Sequence, residues 1–91
     1  MIEALRDEKD PQSTLDYFVD WSLWLGADTI SASTWTVANG LRKVSDTHDG
    51  STAVVWLQGG QPGMHYTVTN RIATAAGRTD ERSFVVRVAQ R

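Results

Sequence analysis

The last third of the sequence predicts a long β-hairpin, and this hairpin limits what the chain can fold into more than any other stretch. Residues 66–72 read Tyr-Thr-Val-Thr-Asn-Arg-Ile, in which apolar and polar side chains alternate with the period of a half-buried strand. Residues 82–88 place Phe84, Val86 and Val88 on one face in the same way. The apolar residues of both arms have even numbers, and they must face each other across the hairpin. The numbers of two facing residues therefore add up to an even total, which is possible only if the loop has an odd number of residues. A three-residue loop at 75–77 meets this condition and puts Gly77 where a bulge turn needs a positive φ.

This loop fixes the register of the two arms, and a slip by one residue would turn every core side chain outward. The predicted pairs are Tyr66 with Val86 and Val68 with Phe84 on the inner face, and Thr69 with Ser83 and Arg71 with Glu81 on the outer face. Near the tip the inner positions become polar or charged, at Asn70, Asp80 and Arg82. We therefore expect the outer end of the hairpin to project beyond the core.

Strands are also predicted earlier in the chain. Residues 15–21 alternate, with Leu15, Tyr17, Val19 and Trp21 on one face and Phe18 on the other. Residues 22–28 are too apolar for a free loop, so we expect a crossing segment in which Trp24 or Leu25 plugs one end of the fold. Residues 29–37 are rich in β-branched residues, and the opposite parity of Ile30 and Trp35 predicts a bulge between them.

Two further strands complete the predicted set. Asn39-Gly40 is a strong hairpin signal, and residues 41–46 follow as a short polar strand. In residues 51–58 the better inner face is Ala53, Val55 and Leu57, which leaves Trp56 pointing outward.

Six strands with turns every 8–12 residues are typical of a small antiparallel sandwich. In immunoglobulin-like folds a tyrosine near the start of the penultimate strand hydrogen-bonds to the backbone before it, and Tyr66 has that position. We therefore predict an all-β fold: a small antiparallel immunoglobulin-like β-sandwich of about six or seven strands, spanning residues 15–91, without a helix. Residues 1–14 carry six charges in their first ten positions and are predicted to form an extended N-terminal arm. Such arms are either frayed termini or straps that bind a partner.

The residue inventory argues against an enzyme and predicts no cofactor and no metal. The chain has no cysteine, and its only histidines, His48 and His65, are expected on the surface. Asp16 and Asp20 would lie about 13 Å apart along one strand, too far for an acid/base pair. A net charge of −2 argues against a general nucleic-acid binder. No apolar run approaches the length of a membrane span, and the first residues do not resemble a signal peptide.

Tryptophan content and charge distribution point to protein contacts. Four tryptophans are many for 91 residues, and Trp56 is the one expected to be exposed. Three roles are open for an outward indole at this position: it covers other parts of its own chain, it docks on another protein, or it stacks on a sugar ring. Residues 1–70 carry nine acids and four bases, whereas residues 71–91 carry five arginines and two acids. Such asymmetry suits head-to-tail contact between like subunits, although it is also compatible with a solvated surface.

Several blocks of the chain, in order, carry a family resemblance. They are Lys9-Asp10-Pro11, Leu15-Asp16-Tyr17, Val19-Asp20-Trp21-Ser22, Trp24-Leu25, Trp35-Thr36-Val37, Gly40-Leu41, Val55-Trp56-Leu57 with Gly59-Gly60, Tyr66-Thr67-Val68-Thr69 and, most specific, Ala76-Gly77-Arg78-Thr79-Asp80-Glu81-Arg82. Over residues 9–88 the sequence resembles small structural proteins of tailed bacteriophages and prophages that are described as fibre-tail adaptor-like. Leu23 departs from the pattern, which leads us to expect a polar residue there.

The resemblance implies a non-enzymatic virion protein, made in the cytoplasm of the host bacterium, that joins tail, fibre or other virion proteins. The charge asymmetry predicts contacts with copies of the same chain, and the net charge and the lack of a long apolar run predict no nucleic-acid or membrane partner. A capsid cement or decoration protein is the close alternative, and a carbohydrate-binding adhesion module that uses Trp56 is the third. The candidate protein-interface residues are Asp10, Pro11, Phe18, Trp56, Arg71, Arg78, Asp80, Glu81 and Arg82.

Overall fold

The computed structural model of the chain describes residues 2–3 and 8–89, and their side chains from Lys9 onward. Its elements, in chain order, are β1 (Ile2–Glu3), β2 (Glu8–Lys9), β3 (Thr14–Asp20), α1 (Ser22–Leu25), β4 (Ile30–Val37), β5 (Leu41–His48), β6 (Thr52–Gly59), β7 (His65–Thr74) and β8 (Thr79–Val88). The all-β prediction is confirmed. Its one exception is α1, a single helical turn within the segment that we expected to cross between sheets.

The strands form two four-stranded sheets. Sheet A has the order β1-β3-β6-β5, and sheet B has the order β2-β8-β7-β4. Three long antiparallel strands make up each sheet, and a two-residue strand, β1 or β2, extends it by parallel pairing. The molecule therefore has two layers that bury one apolar face each against the other.

The predicted hairpin register is confirmed at all four pairs. Tyr66 faces Val86, Val68 faces Phe84, Thr69 faces Ser83 and Arg71 faces Glu81. The loop consists of residues 75–77 and is closed by a hydrogen bond from the Thr74 N–H to the Arg78 carbonyl at 2.8 Å. Gly77 has φ +87°, as the bulge turn requires.

The core lies between the sheets and contains the inner faces that the alternation predicted. Its buried members from sheet A are Tyr17, Val19, Leu41, Val55 and Leu57, and those from sheet B are Ile30, Tyr66, Val68, Ile72, Phe84, Val86 and Val88. The rings of Tyr17 and Phe84 stack across the two layers with their centroids 5.9 Å apart. Trp35 is only partly buried because β4 lies at the edge of sheet B.

Tyr66 ties the start of β7 to the preceding corner. The N–H of Gln61 donates a hydrogen bond to the Tyr66 hydroxyl at 2.9 Å, which confirms the predicted contact with the backbone before it. The ring lies against Gly40, where an added Cβ would come 2.8 Å from Tyr66 Cε1. Glycine at position 40 therefore allows a close approach as well as the positive φ of 102°.

Asn39-Gly40 does not form the β-hairpin that its sequence predicted. The strands on either side of it belong to different sheets, since β4 pairs with β7 and β5 pairs with β6. The turn therefore carries the chain from one layer to the other. Strand β5 is also longer than expected, reaching His48, because β6 offers it a full-length partner. The predicted bulge in β4 is present between Ile30 and Ala32.

The polar inner position at Asn70 is part of the core, so the expectation that it would project with the hairpin tip is wrong. Its side chain is 0% exposed. The indole Nε1 of Trp21 donates to Asn70 Oδ1 at 2.9 Å, and Asn70 Nδ2 donates to Ser33 Oγ at 2.9 Å and to the Thr34 carbonyl at 3.1 Å. Burial is tolerated because the amide has a partner for its oxygen and for its nitrogen.

Candidate protein-interaction surfaces

The nine candidate interface residues do not meet in one site. Phe18 and Trp56 lie on the outer face of sheet A, and Asp10 and Pro11 lie in the turn before β3. The other five lie on the outer half of the β7–β8 hairpin: Arg71, Arg78, Asp80, Glu81 and Arg82.

Sheet A presents an apolar patch around Trp56. The side chain of Trp56 is 41% exposed, whereas Ala53, Val55 and Leu57 on the same strand are fully buried. The outward orientation predicted for Trp56 is therefore confirmed. Phe18 and Val54 pair across β3 and β6 on the same face as Trp56, and both are partly buried. We call Phe18, Val54 and Trp56 the sheet A patch.

Arg78 at the hairpin tip contacts the α1 segment of its own chain. Its Nε donates to Asp28 Oδ2 at 3.1 Å, and its Nη2 donates to the Leu25 carbonyl at 2.9 Å. The guanidinium lies over the Trp24 ring, 4.2 Å from the ring centroid. The last carbonyls of a helix lack intrahelical partners, and here the arginine supplies one of the missing donors.

Arg82, which lies in β8, makes the same kind of contact with an aromatic ring and a backbone carbonyl. Its guanidinium lies 4.4 Å from the centroid of Trp21, and its Nη1 donates to the Asp20 carbonyl at 3.1 Å. The expectation that this end of the hairpin would project beyond the core is therefore wrong, because both arginines pack on the segment between β3 and β4. Stacking on an aromatic face explains why these inner positions tolerate a cation.

Asp28 organises the contact between the hairpin loop and α1. Its Oδ1 accepts hydrogen bonds from the N–H groups of Thr29 and Ala76, at 2.8 Å and 3.1 Å. The Thr74 hydroxyl is the strongest influence on the carboxyl and, with those N–H groups and Arg78, it lowers the pKa of Asp28 to about 2. The carboxylate is thus ionised wherever the protein is folded under ordinary conditions.

The outer face of sheet B carries exposed charges near the tip. Arg71 Nη1 and Glu81 Oε2 are 3.6 Å apart, and both side chains are more than half exposed. Asp80 is exposed, and its Oδ1 accepts the Glu81 N–H at 2.8 Å. Exposed ion pairs stabilise a fold little, by about 0–1 kcal/mol, so these charges remain available to a partner.

Asp10 and Pro11 form a turn at the end of the molecule opposite to the tip of the β7–β8 hairpin. Asp10 Oδ1 accepts the Gln12 N–H at 2.8 Å, and the Asp10 carbonyl accepts the Ser13 N–H at 3.0 Å. The turn closes over Lys9, whose side chain is 0% exposed. Sequence reasoning missed this buried lysine, which begins the first block of the family resemblance.

The Lys9 ammonium is satisfied by backbone oxygens alone. Its Nζ donates to the carbonyls of Asp10, Ser13 and Gly59, so each of its three protons has an acceptor. Burial lowers the pKa of Lys9, and the charge of Asp10 opposes that shift. Because Gly59 ends β6 of sheet A while Lys9 belongs to β2 of sheet B, the side chain joins the two layers.

Leu23 is the most exposed large apolar residue in the described part of the chain, and the candidate set omitted it. It lies on α1 and is 99% exposed, although its neighbours Trp24 and Leu25 pack on the core. The sequence signal was the departure from the family pattern at this position. Arg78 and Arg82 lie over the rings of Trp24 and Trp21, which flank Leu23 in the sequence. An apolar side chain so exposed is a feature of contact surfaces.

Other site types find little support in the described part of the chain. No cluster of histidine, cysteine, aspartate or glutamate suited to a metal ion occurs in it. His48 and His65 are exposed, as predicted. The helix that it contains is only four residues long and is no candidate for a membrane span.

Comparison with known proteins agrees with a contact role. The family model described as podophage GP4 fiber-tail adaptor protein gp77 matches residues 9–87. No curated protein sequence matches the chain. The matched range begins at the buried Lys9 and ends one residue before the end of β8, so it covers the long antiparallel strands of both sheets. The chain therefore belongs to the podophage fiber-tail adaptor family, which confirms the resemblance read from its sequence and its role as a structural adaptor of the phage virion.

Proposed function

We propose that this adaptor joins a tail protein to a fibre protein through two separate surfaces, the sheet A patch and the α1 end. The carrying observation is that large apolar side chains are exposed at both places, Trp56 at 41% and Leu23 at 99%. The molecule measures 42 × 20 × 17 Å, and α1 lies at one end of its strands whereas the sheet A patch lies on a face. Two partners can therefore bind without competing for the same residues.

The two surfaces offer different chemistry. The sheet A patch is flat and apolar, with an aromatic anchor of the kind that dominates many protein interfaces. The α1 end combines Leu23 with Arg78 and Arg82, whose partly exposed guanidinium groups can also reach carboxylates or carbonyls of a partner. The exposed charges Arg71, Asp80 and Glu81 lie on the same half of the hairpin and extend this second surface.

The test uses phage that carry Trp56→Ser or Leu23→Ser in this chain. Each variant should leave the melting temperature of the isolated protein nearly unchanged, because the side chain it removes is exposed. We expect one variant to prevent the chain from entering particles and the other to give particles that contain the chain but lack fibres. Val85→Ser is the matched control, since Val85 is 49% exposed on the outer face of sheet B.

Normal fibre attachment and normal incorporation in both variants would contradict the proposal. Copy number per particle tests the location separately: on the order of a dozen copies is expected at the symmetric tail, whereas a capsid decoration protein would be present in hundreds. Binding of the isolated protein to a glycan array, lost in Trp56→Ser, would instead favour the carbohydrate-binding alternative. The proposal assigns the chain no enzymatic activity and places its synthesis in the host cytoplasm.

We further propose that the sandwich is immunoglobulin-like. The order β3-β6-β5 in sheet A corresponds to strands B-E-D of that fold, and the order β8-β7-β4 in sheet B corresponds to strands G-F-C. The hydrogen bond at Tyr66, on the penultimate strand, also matches the tyrosine corner. An experimental structure with a different strand order would refute this assignment.

The N-terminal residues are proposed to serve the assembly. We divide the chain into residues 1–14, an arm that makes contact with a neighbouring subunit, and residues 15–91, which form the domain. The pairing of Glu8 and Lys9 with β8 fixes where the arm meets the domain. Residues 1, 4–7 and 90–91 lie outside the described part of the chain. Amide hydrogen exchange over residues 1–14 should be slower in purified particles than in the isolated protein, and equal rates would contradict the arm.

A further inference from the structure

Of the four lateral edges of the two sheets, β4 is the one without protection in the described structure. The edge of β3 pairs with β1 at Tyr17 and Phe18, and the strand also carries Asp16 and Asp20. The edge of β8 pairs with β2 at Arg87 and Val88, and its remaining length carries the charged run Asp80, Glu81 and Arg82. Strand β5 ends sheet A, but it carries Arg42, Lys43 and Asp46 and a bulge between Lys43 and Ser45. Charges and bulges are the usual devices that keep an edge strand from pairing with another chain.

Strand β4 has neither device along most of its length. Its sequence Ile-Ser-Ala-Ser-Thr-Trp-Thr-Val contains no charged residue and no proline. Its bulge lies at the start, between Ile30 and Ala32, so residues 32–37 form a regular strand. The N–H of Ala38 donates a hydrogen bond to the Thr67 carbonyl on β7. In an antiparallel pair every second residue is bonded to the partner strand, so the backbone N–H and C=O groups of Ser33, Trp35 and Val37 face away from β7.

Two features beside this edge suit it to an added strand. Trp35 on this strand is only partly buried. A shallow cavity of about 140 Å³ lies next to the edge and is lined by Ala32, Thr34, Arg71, Ile72 and Ala73. A strand added to β4 would cover the Trp35 side of the edge and place alternate side chains beside the cavity.

We infer that β4 receives an extended segment of a different virion protein, which adds a strand to sheet B and inserts one large aliphatic side chain into this cavity. The inference rests on the proposed function as an adaptor. A second copy of β4 cannot supply that side chain. The side chains that β4 and the following residue present on the outer face are Ala32, Thr34, Thr36 and Ala38, and a two-fold axis would bring only these small groups to the cavity of the other copy.

The experiment compares amide hydrogen exchange of the chain in purified particles and in isolation. In particles the peptide covering β4 should exchange at least about tenfold more slowly, whereas the peptide covering β5 should exchange at an unchanged rate. Val37→Pro removes an N–H that faces the open edge, so it should reduce incorporation without breaking the ladder to β7. Val37→Ala loses similar packing but keeps that N–H, and it should be incorporated normally.

A second pair of variants covers the case in which Val37→Pro does not fold. Thr36→Lys places a charge on the exposed side of the β4 edge and should reduce incorporation, whereas Ser45→Lys on β5 should not. Unchanged exchange of β4 in particles, or normal incorporation of Val37→Pro or Thr36→Lys, would overturn the inference and leave the adaptor function intact. Protection of β4 that appears in the isolated protein and grows with its concentration would also overturn it, in favour of a second copy. Absence of the chain from particles would refute the proposed function itself.

Discussion

Replacing Asn70 with alanine is expected to be among the most damaging single changes that leave the apolar core intact. The side chain accepts a hydrogen bond from Trp21 and donates to Ser33 and Thr34, and all three contacts are within 3.1 Å. Removing the amide loses these bonds at about 1 kcal/mol each and leaves the buried Trp21 N–H without an acceptor, a penalty of about 1–3 kcal/mol that partly overlaps with them. We therefore expect a loss of about 3–4 kcal/mol, a large part of the roughly 5–10 kcal/mol that stabilises a domain of this size.

Urea denaturation followed by tryptophan fluorescence measures this loss directly. Ser33→Ala is the graded control, because it removes one partner of the amide while the bond between Trp21 and Asn70 remains, and it should cost about 1 kcal/mol. Asn70→Asp keeps an acceptor for Trp21 but buries a charge opposite the Thr34 carbonyl, so at neutral pH it should destabilise more than alanine does. If Asn70→Ala changed the unfolding free energy by less than about 0.5 kcal/mol, the network would have no structural importance and the reasoning would be wrong.

Three further perturbations test other parts of the fold. Phe84→Ala should cost about 3–5 kcal/mol, because it empties a position between Tyr17 and Trp35, and an unchanged melting temperature would contradict its place in the core. Arg78→Ala and Arg82→Ala should each cost about 1–2 kcal/mol by urea denaturation, through loss of the ring contact and one bond to a backbone carbonyl. No change in either arginine variant would show that the contacts with α1 are incidental. The pKa of Asp28 is lowered from 3.8 to about 2 in the folded protein, so its contribution to stability is full at pH values well above 3.8 and is lost as the pH falls through about 2. Urea midpoints measured from about pH 6 down to about pH 2 should therefore fall less steeply in Asp28→Asn, and equal slopes would refute the assignment.

The parts of the fold that were predicted correctly follow from local rules. The hairpin register depends on a period of two and on the parity of one loop, and both can be counted along the chain. The outward position of Trp56 follows from the same alternation. These inferences need no knowledge of the rest of the structure.

The parts that were missed depend on partners far away in sequence. Asn70 resembles an exposed tip residue until Trp21, 49 positions earlier, is placed beside it. Asn39-Gly40 has the composition of a hairpin turn, and only the competition among strands for partners decides that it joins two layers. Lys9 is charged, and its burial depends on the Gly59 carbonyl, 50 positions away, as well as on the nearby carbonyls of Asp10 and Ser13.

For the candidate surfaces, sequence reasoning found the residues but not their surroundings. Arg78 and Arg82 were predicted to contact another protein, and the structure shows that they also hold α1 in place. Whether they contact a partner as well stays a prediction. Leu23 could be noticed only as an unusual residue, because nothing in a one-turn helix of four residues indicates which side chain faces solvent.

The way in which Lys9 is bound has a mechanical consequence. Strand β2 runs parallel to β8, so the chain enters this two-residue pair at Glu8 and leaves it from the other end of the pair at Val88. A pull that separates the two termini along the strands then loads the backbone bonds of this pair, and the Ala89 N–H to Lys9 carbonyl bond, in shear, so that they resist together instead of opening one after another. The ammonium of Lys9 passes part of the same load to the Gly59 carbonyl at the end of β6. In a protein that holds a fibre on a moving particle, these bonds resist separation of the N-terminal segment from the domain at β2.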